Sequence, residues 1–278
     1  NSNKSADKVE VGDIVTGMFG WQRYAKMKQD HLTKLVLPSK LPTQYSLGLS
    51  SLGGTALTAY FGFFDVGKPR KQDTVLVSAA AGATGSTVVA LAKHVLKCAR
   101  VVGIAGGEAK CDYVRNVLQA DECIDYKKCK TEQELLKAIR KACPNGVDLF
   151  FDNVGGMTLN AVMRNLAQGA RIVICGQISM YNKKDTDAPY PLTAHPNLLI
   201  QRASMKGFIV FDYEKQYDKA LSDLRSWIDQ GLITPQEQIV NGLDKASEAL
   251  MMLFRGENLG KLIVKVGSDE SSKLHARL

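Results

Sequence analysis

Apolar residues come in short runs along this chain, and what interrupts them changes near position 50. In residues 9–27, VEVGDIVTGMFGWQRYAKM, brief apolar stretches are cut by Gly-Asp and Gly-Trp, which read as turns between strands. The run LVLPSKLP follows, and its prolines cannot donate to a ladder, which rules out a central strand. This first part is β-like throughout and reads as the tail of a small barrel. Beyond it, strand-like and helix-like segments alternate. The pattern predicts strands at Val75–Ala79, Arg100–Ala105, Cys123–Tyr126, Val147–Asp152, Arg171–Cys175, Lys206–Phe211 and Lys261–Val266, with helices starting near Ser86 and Ala109. Alternation of this kind implies an α/β fold: a doubly wound parallel sheet with helices on both faces. The expected division is a partial barrel domain over 1–50, the sheet domain over 51–240, a return to the first domain over 241–267, and a tail over 268–278.

Composition narrows the class. With 278 residues, 45% hydrophobic and 23% charged, the chain can bury one large or two medium cores. No apolar run approaches the ~20 residues that span a bilayer, and Asn1 to Glu10 carries no signal-peptide core, so the reading is of a soluble, cytoplasmic protein with no membrane partner. Six cysteines form no C-x-x-C pair and read as reduced thiols. The net charge of +8 raises a nucleic-acid partner. Its densest clusters, Lys68-Pro-Arg70-Lys71 and Lys127-Lys128-Cys-Lys130, lack interleaved aromatics, so no nucleic acid is expected and an anionic cofactor is the better-supported partner.

The stretch Ala80-Ala81-Gly82-Ala83-Thr84-Gly85 carries the chemistry. It keeps the spacing of G-x-G-x-x-G with Ala80 at the first glycine, directly after a predicted strand and before a predicted helix. Gly82 lets the backbone approach a pyrophosphate, Gly85 lets helix pack on strand, and the helix amino terminus attracts the anion. The alternative is a plain strand-helix connection. The next strand bears on which dinucleotide is preferred. An NAD site places a carboxylate at its end, whereas this strand ends in Ala105-Gly106-Gly107 with Lys110 in the following turn. That arrangement favours the 2′-phosphate of NADPH. Glu108 opposes it unless its side chain points to solvent.

With these segments placed, the chain resembles the zinc-independent medium-chain dehydrogenases/reductases, most closely the prostaglandin reductase and alkenal double-bond reductase branch. The resemblance runs in order through LTAYFGFFDVGKP, VSAAAGATGS, VVGIAGGEAKC, IDYK, GVDLFFDNVGG, ARIVICGQISMYN, MKGFIVFDY and GENLGKLIVKV, from Gly12 to Gly267. It implies a Rossmann domain joined to a GroES-like barrel whose first strands are missing, and a homodimer. By the same resemblance Gly82, Ala83, Thr84 and Gly85 hold the pyrophosphate, and Lys110 and Tyr126 reach the adenosine phosphate. Asn153 lines the cleft beside the Cys175–Tyr181 segment, with Cys175, Gly176, Ile178, Ser179 and Tyr181 as contacts. Phe208, Ile209 and Val210 back the nicotinamide and Asn258 closes over it. Phe208 and Val210 read equally well as core.

The implied activity is NADPH-dependent reduction of the C=C bond of an enone, enal or quinone, a small-molecule substrate. A zinc enzyme needs clustered Cys, His and acidic ligands, and His31, His94, His195 and His275 provide no such set. Tyr181 is the candidate proton donor, with water or a ribose hydroxyl as alternatives. The other reading is a catalytically impaired NADPH-binding protein. Last, Ala276-Arg277-Leu278 resembles the peroxisomal Ser-Lys-Leu signal, which makes the peroxisome the alternative location.

Overall fold

The computed structural model describes residues 9–182, 184 and 186–267. Near the start, β1 (Val15–Thr16) and β2 (Thr33–Lys34) pair antiparallel, and α1 (Gly54–Phe61) leads into the main sheet. There follow β3 (Thr74–Ser78), α2 (Ala83–Ala90), β4 (Arg100–Ala105), α3 (Glu108–Asp112), β5 (Glu122–Asp125), α4 (Glu132–Ala142), β6 (Val147–Asp152), α5 (Gly156–Met163), β7 (Leu166–Ile174), α6 (Pro196–Gln201) and β8 (Ser204–Gly207). The chain closes with α7 (Tyr217–Asp229), β9 (Glu237–Asn241), α8 (Ala246–Arg255) and β10 (Lys261–Lys265).

Six strands form one parallel sheet in the order β5-β4-β3-β6-β7-β8, with the direction of winding reversing at β3. Side chains alternate along each strand, so two cores share the sheet. Val75, Val77, Leu149, Phe151 and Val173 face α1, α2 and α7, while Leu76, Phe150 and Ile172 face α4 and α5 through Leu135, Ile139, Leu159, Val162 and Met163. Helix α4 illustrates how sequence dictates an element. Thr131 accepts a bond from the Glu134 amide at 3.2 Å while the Glu134 carboxylate accepts one from the Lys130 amide at 2.6 Å, and Leu135, Leu136, Ile139 and Ala142 make the buried face.

Four boundaries differ from the sequence reading. The helix after β3 begins at Ala83, because Gly82 is already its cap. Strand β7 begins five residues earlier than expected, in the polar stretch Leu166–Ala170, since Val147 of β6 pairs with Leu166. The apolar run predicted as strand Lys206–Phe211 is strand only to Gly207 and then turns through Val210–Gln216, its Phe208 ring lying where a side chain on Gly62 would stand. The largest difference lies in the first 50 residues. Of these the described ones, 9–50, are mostly irregular rather than β throughout, with strand among them only at β1 and β2, and between residues 9 and 46 Pro38 alone is buried. Apolar residues there lack a second face to pack on. This segment is tied to the rest by polar bonds: Asp229 accepts from the Ser39 and Lys40 amides at 3.2 and 2.9 Å, and Glu237 accepts from Gln44, Ser46 and Ser50. Strands β9 and β10 form a separate parallel pair bridged by α8. No helix among the described residues is long and apolar enough to cross a membrane. Residues Ala276-Arg277-Leu278 lie outside the described residues.

Candidate active site

Parallel pairing brings the carboxyl ends of six strands to one edge, with Ser78 beside Ile104, Ala105 beside Asp125, Asp152 beside Ile174 and Ile174 beside Gly207. The loops leaving this edge carry most of the site residues read from the sequence. After Ser78 the backbone enters the left-handed region at Ala79 (φ 49°), and the Gly82 amide donates back to Ala79 O at 2.9 Å, closing a tight turn into α2. A Cβ on Gly85 would stand 2.2 Å from Ala79 O, so only glycine permits this approach of helix to strand. Gly82, Ala83 and Thr84 remain partly exposed at the first turn of α2, whose amides have no acceptor within the helix.

At the end of β4, Gly107 has open space where a side chain would be, and its amide donates to Asp125 at 2.8 Å. The Tyr126 ring covers Gly106 so closely that a Cβ there would meet it at 2.8 Å. Lys110 is half-buried and donates to Gly256 O at 2.8 Å; burial, and then the neighbouring Lys127 charge, hold its ammonium below the usual lysine range. Glu108 bonds Lys128 and pairs with Arg115 at 2.6 Å, which draw its carboxyl below the ordinary range, so this carboxylate is engaged away from Lys110. Beyond β4 the Lys110 ammonium is thus held by Gly256 O, while the Glu108 carboxylate is taken by Arg115 and Lys128.

At the end of β6, three residues lock together. Asp152, fully buried, accepts from Ser78 Oγ at 2.9 Å and from the Val154 and Gly155 amides at 3.0 and 3.1 Å. Burial raises its pKa against those bonds. Asn153 is oriented by Ser78 at both ends: its amide donates to Ser78 Oγ at 2.8 Å and its Nδ2 to Ser78 O at 2.7 Å. The amides of Cys175 and Gly176 donate to Asp152 O, which draws the 175–181 segment alongside. Burial, and then the Asp152 charge, push the Cys175 thiol up to about 12, which keeps it protonated. Ile178 and Ser179 donate through their amides to Asn153 O and Val154 O, and Tyr181 Oη accepts from the Gln177 amide at 3.1 Å while its ring is 61% exposed.

The remaining residues divide. Phe208 packs on Phe151 and Tyr213, Val210 gives its carbonyl to Tyr217, and Ile209 is exposed. Asn258 is buried and donates to Gly260 O at 3.0 Å, and the Gly260 amide donates to Ala81 O at 2.9 Å, so the 256–260 segment crosses the glycine turn. Sequence reasoning missed Ser78, Asp125, Asp152 and Gly256. Asp152 had a signal: a lone carboxylate between an apolar strand and the Gly-Gly that opens a helix. Among the described residues no group of three or more His, Cys, Asp or Glu could hold a metal ion. A dinucleotide fits the crevice, since Gly107 leaves open the space where a side chain would stand and Gly82, Ala83 and Thr84 are partly exposed at a helix amino terminus, with an ammonium nearby on α3.

Residues 83–226 match the family model described as zinc-binding dehydrogenase. The chain is 42% identical over 258 residues to prostaglandin reductase 1 of Mus musculus, covering 91% of this chain and 75% of the mouse protein. It is 38% identical over 262 residues to the NADP(+)-dependent 2-alkenal reductase of Nicotiana tabacum, covering 94% and 74%. Among solved structures, CurA of Vibrio vulnificus in complex with NADPH superposes with a TM-score of 0.82 at 39% identity, covering 93% of this chain and 75% of that one.

Proposed function

Because the chain belongs to the medium-chain dehydrogenase/reductase family, in its prostaglandin and alkenal reductase branch, we propose that it is an NADPH-dependent reductase of the C=C bond of α,β-unsaturated ketones and aldehydes. The observation that carries the cofactor reading is Lys110, on α3 just after the uncovered Gly107, whose ammonium is held by Gly256 O while Glu108 is engaged by Arg115 and Lys128. In this reading Gly82, Ala83, Thr84 and Gly85 receive the pyrophosphate at the start of α2, and Lys110 and Tyr126 receive the 2′-phosphate. Asn153, Cys175, Gly176, Ile178 and Ser179 line the cleft, Phe208, Ile209 and Val210 back the nicotinamide, and Asn258 covers it.

When bound, NADPH supplies a hydride to the β-carbon of the substrate. The chain's own groups position and protonate. Ser78 and Asp152 fix Asn153 in one orientation, so its amide costs no reorganisation when the cofactor arrives. The Tyr181 hydroxyl, anchored by the Gln177 amide, keeps its own proton free to stabilise the enolate oxygen or to reach the α-carbon; water or a ribose hydroxyl is the substitute. No metal enters the scheme. The exposed Met18, Trp21 and Tyr24, in the segment expected to serve the substrate side, support a second reading, NADPH binding with impaired turnover.

One assay decides between them: mix the chain with NADPH and an alkenal and follow cofactor absorbance. Turnover is expected, with NADPH bound at least about tenfold more tightly than NADH, a difference of roughly 1.4 kcal/mol. Binding without turnover selects the second reading, and equal affinity for both cofactors removes the Lys110 role. Residues 51–240 are taken as the cofactor domain, with 1–50 and 241–267 as parts of the other. A homodimer is supported by the exposed edge strand β8 and the exposed Leu199, Ile200, Met205 and Phe211 around it, and sedimentation at two concentrations checks it. Cytoplasmic location, with the peroxisome as alternative, is checked by fusing the last twelve residues to a fluorescent reporter.

A further inference from the structure

Helix α8 ends at Gly256, which takes the left-handed conformation (φ 63°) and turns its carbonyl toward Lys110. A cation is well placed there, because carbonyls at a helix carboxyl terminus lack partners and carry partial negative charge. The same short segment then reaches the glycine turn. Leu259 donates to Gln238 at 3.0 Å, Gly260 donates to Ala81 O at 2.9 Å, and Asn258 is buried between them. Three residues, Glu257, Asn258 and Leu259, thus separate the carbonyl held by Lys110 from the amide that clips onto the glycine turn. Lys110 sits at the other end of this arrangement, on α3, which follows β4.

We propose that Lys110 couples the 2′-phosphate to this clasp: one ammonium bridges the phosphate and Gly256 O, so that the phosphate fixes residues 256–260 across the glycine turn. The inference rests on the adenosine-site reading above and deepens it. An ammonium has three donors, and Gly256 O uses one. Lys127 lies close enough to depress the Lys110 pKa and to lower that of Glu257, after the Arg255 bond, so two cations face the start of the clasp. A dianion arriving there offsets their mutual repulsion and, by taking a second donor of the same ammonium, immobilises the Lys110 side chain where it already meets Gly256 O. Preference for NADPH then extends beyond affinity. NADH can occupy the crevice and still leave the clasp, with Asn258, less firmly seated.

The test uses adenosine 2′,5′-bisphosphate, which carries the phosphate without nicotinamide, and 5′-AMP as its control. Calorimetry measures occupancy, and amide hydrogen exchange is read at 256–261. In the parent chain the bisphosphate at saturation should slow exchange of the Gly260 amide by about tenfold while saturating 5′-AMP leaves it unchanged. Lys110→Met should raise exchange at 256–260 in the free chain without altering β3 and β4, and should abolish the slowing even where calorimetry shows the site filled. Lys110→Arg, which keeps a cation of similar reach, should restore part of it. Protection that persists in filled Lys110→Met overturns the coupling and leaves the adenosine site standing, as does binding of the bisphosphate to the parent with no change at 256–261. No heat of binding in the parent overturns both.

Discussion

Val77 and Val11 both lie in stretches that look like strands, yet Val77 is fully buried and Val11 fully exposed. The difference is in what surrounds them. Val77 belongs to β3, which has β4 on one side, β6 on the other and helices over both faces. Val11 belongs to a segment whose only ladder among the described residues is the two-residue pair of β1 and β2, and Ile14, Met18, Trp21, Tyr24 and Val36 are exposed with it. Apolar residues stabilise a fold according to the faces they meet rather than their own hydropathy. The sheet region carries its own core, whereas the flanking segments lean on it through side-chain bonds to Asp229 and Glu237.

The largest effect should come from removing volume at the sheet centre. Phe151→Ala should cost about 3–5 kcal/mol in urea unfolding, and Trp21→Ala, at a side chain 64% exposed, should lie within about 0.5 kcal/mol of the parent. Comparable losses from the two would erase the contrast between regions. Gly85→Ala comes next, at about 1–3 kcal/mol, because the new methyl must displace the Ala79 carbonyl. It should also weaken NADPH binding at least about tenfold by shifting the first turn of α2. Unchanged binding would show that the turn tolerates a wider approach.

Acid titration sharpens the contrast differently. Burial raises the Glu132 pKa, but bonds from Asn160, Tyr190 and Arg164 outweigh it and hold the carboxyl below its ordinary value. Its contribution is therefore complete above the unfolded value and disappears as pH falls through the lower folded one. In urea series from pH 7 to pH 3, Glu132→Gln should flatten the acid loss of stability seen in the parent; an identical slope would remove Glu132 from the account. The smallest effect belongs to the flank. Asp13, partly covered, pairs with the exposed Lys34 at 2.8 Å near the surface, and Asp13→Asn should barely move the urea midpoint, in keeping with the small worth of surface pairs.

How much of this was legible in the sequence follows the same division. TVLVS, RVVGIA and VDLFFD were read almost to the residue, because a parallel strand buried on both faces must be apolar throughout. The start of β7 was invisible, since Leu166–Ala170 includes exposed Gln168 and Gly169 and is strand only by virtue of its neighbour. FIVF misled in the opposite direction: its residues are apolar for two different surroundings, with Phe208 and Val210 half-buried against the core and Ile209 and Phe211 outside. Within the candidate site, the glycine turn and Lys110 were singled out by local spacing and Asn153 through the resemblance. The partners of Lys110 and Asn153 were not. Gly256 O is a backbone atom 146 positions away, and Ser78 looks like any strand end until Asp152 is beside it.

The Tyr126 ring over Gly106 bears on how this crevice can change over generations. A switch to the cofactor without a 2′-phosphate calls for a carboxylate at the end of β4. At 106 any side chain collides with the ring, and at 107 the backbone has φ 93° and its amide is committed to Asp125. At either glycine after β4 a carboxylate must therefore evict an aromatic ring or strain a turn. A carboxylate gained at 106 goes together with a change at Tyr126.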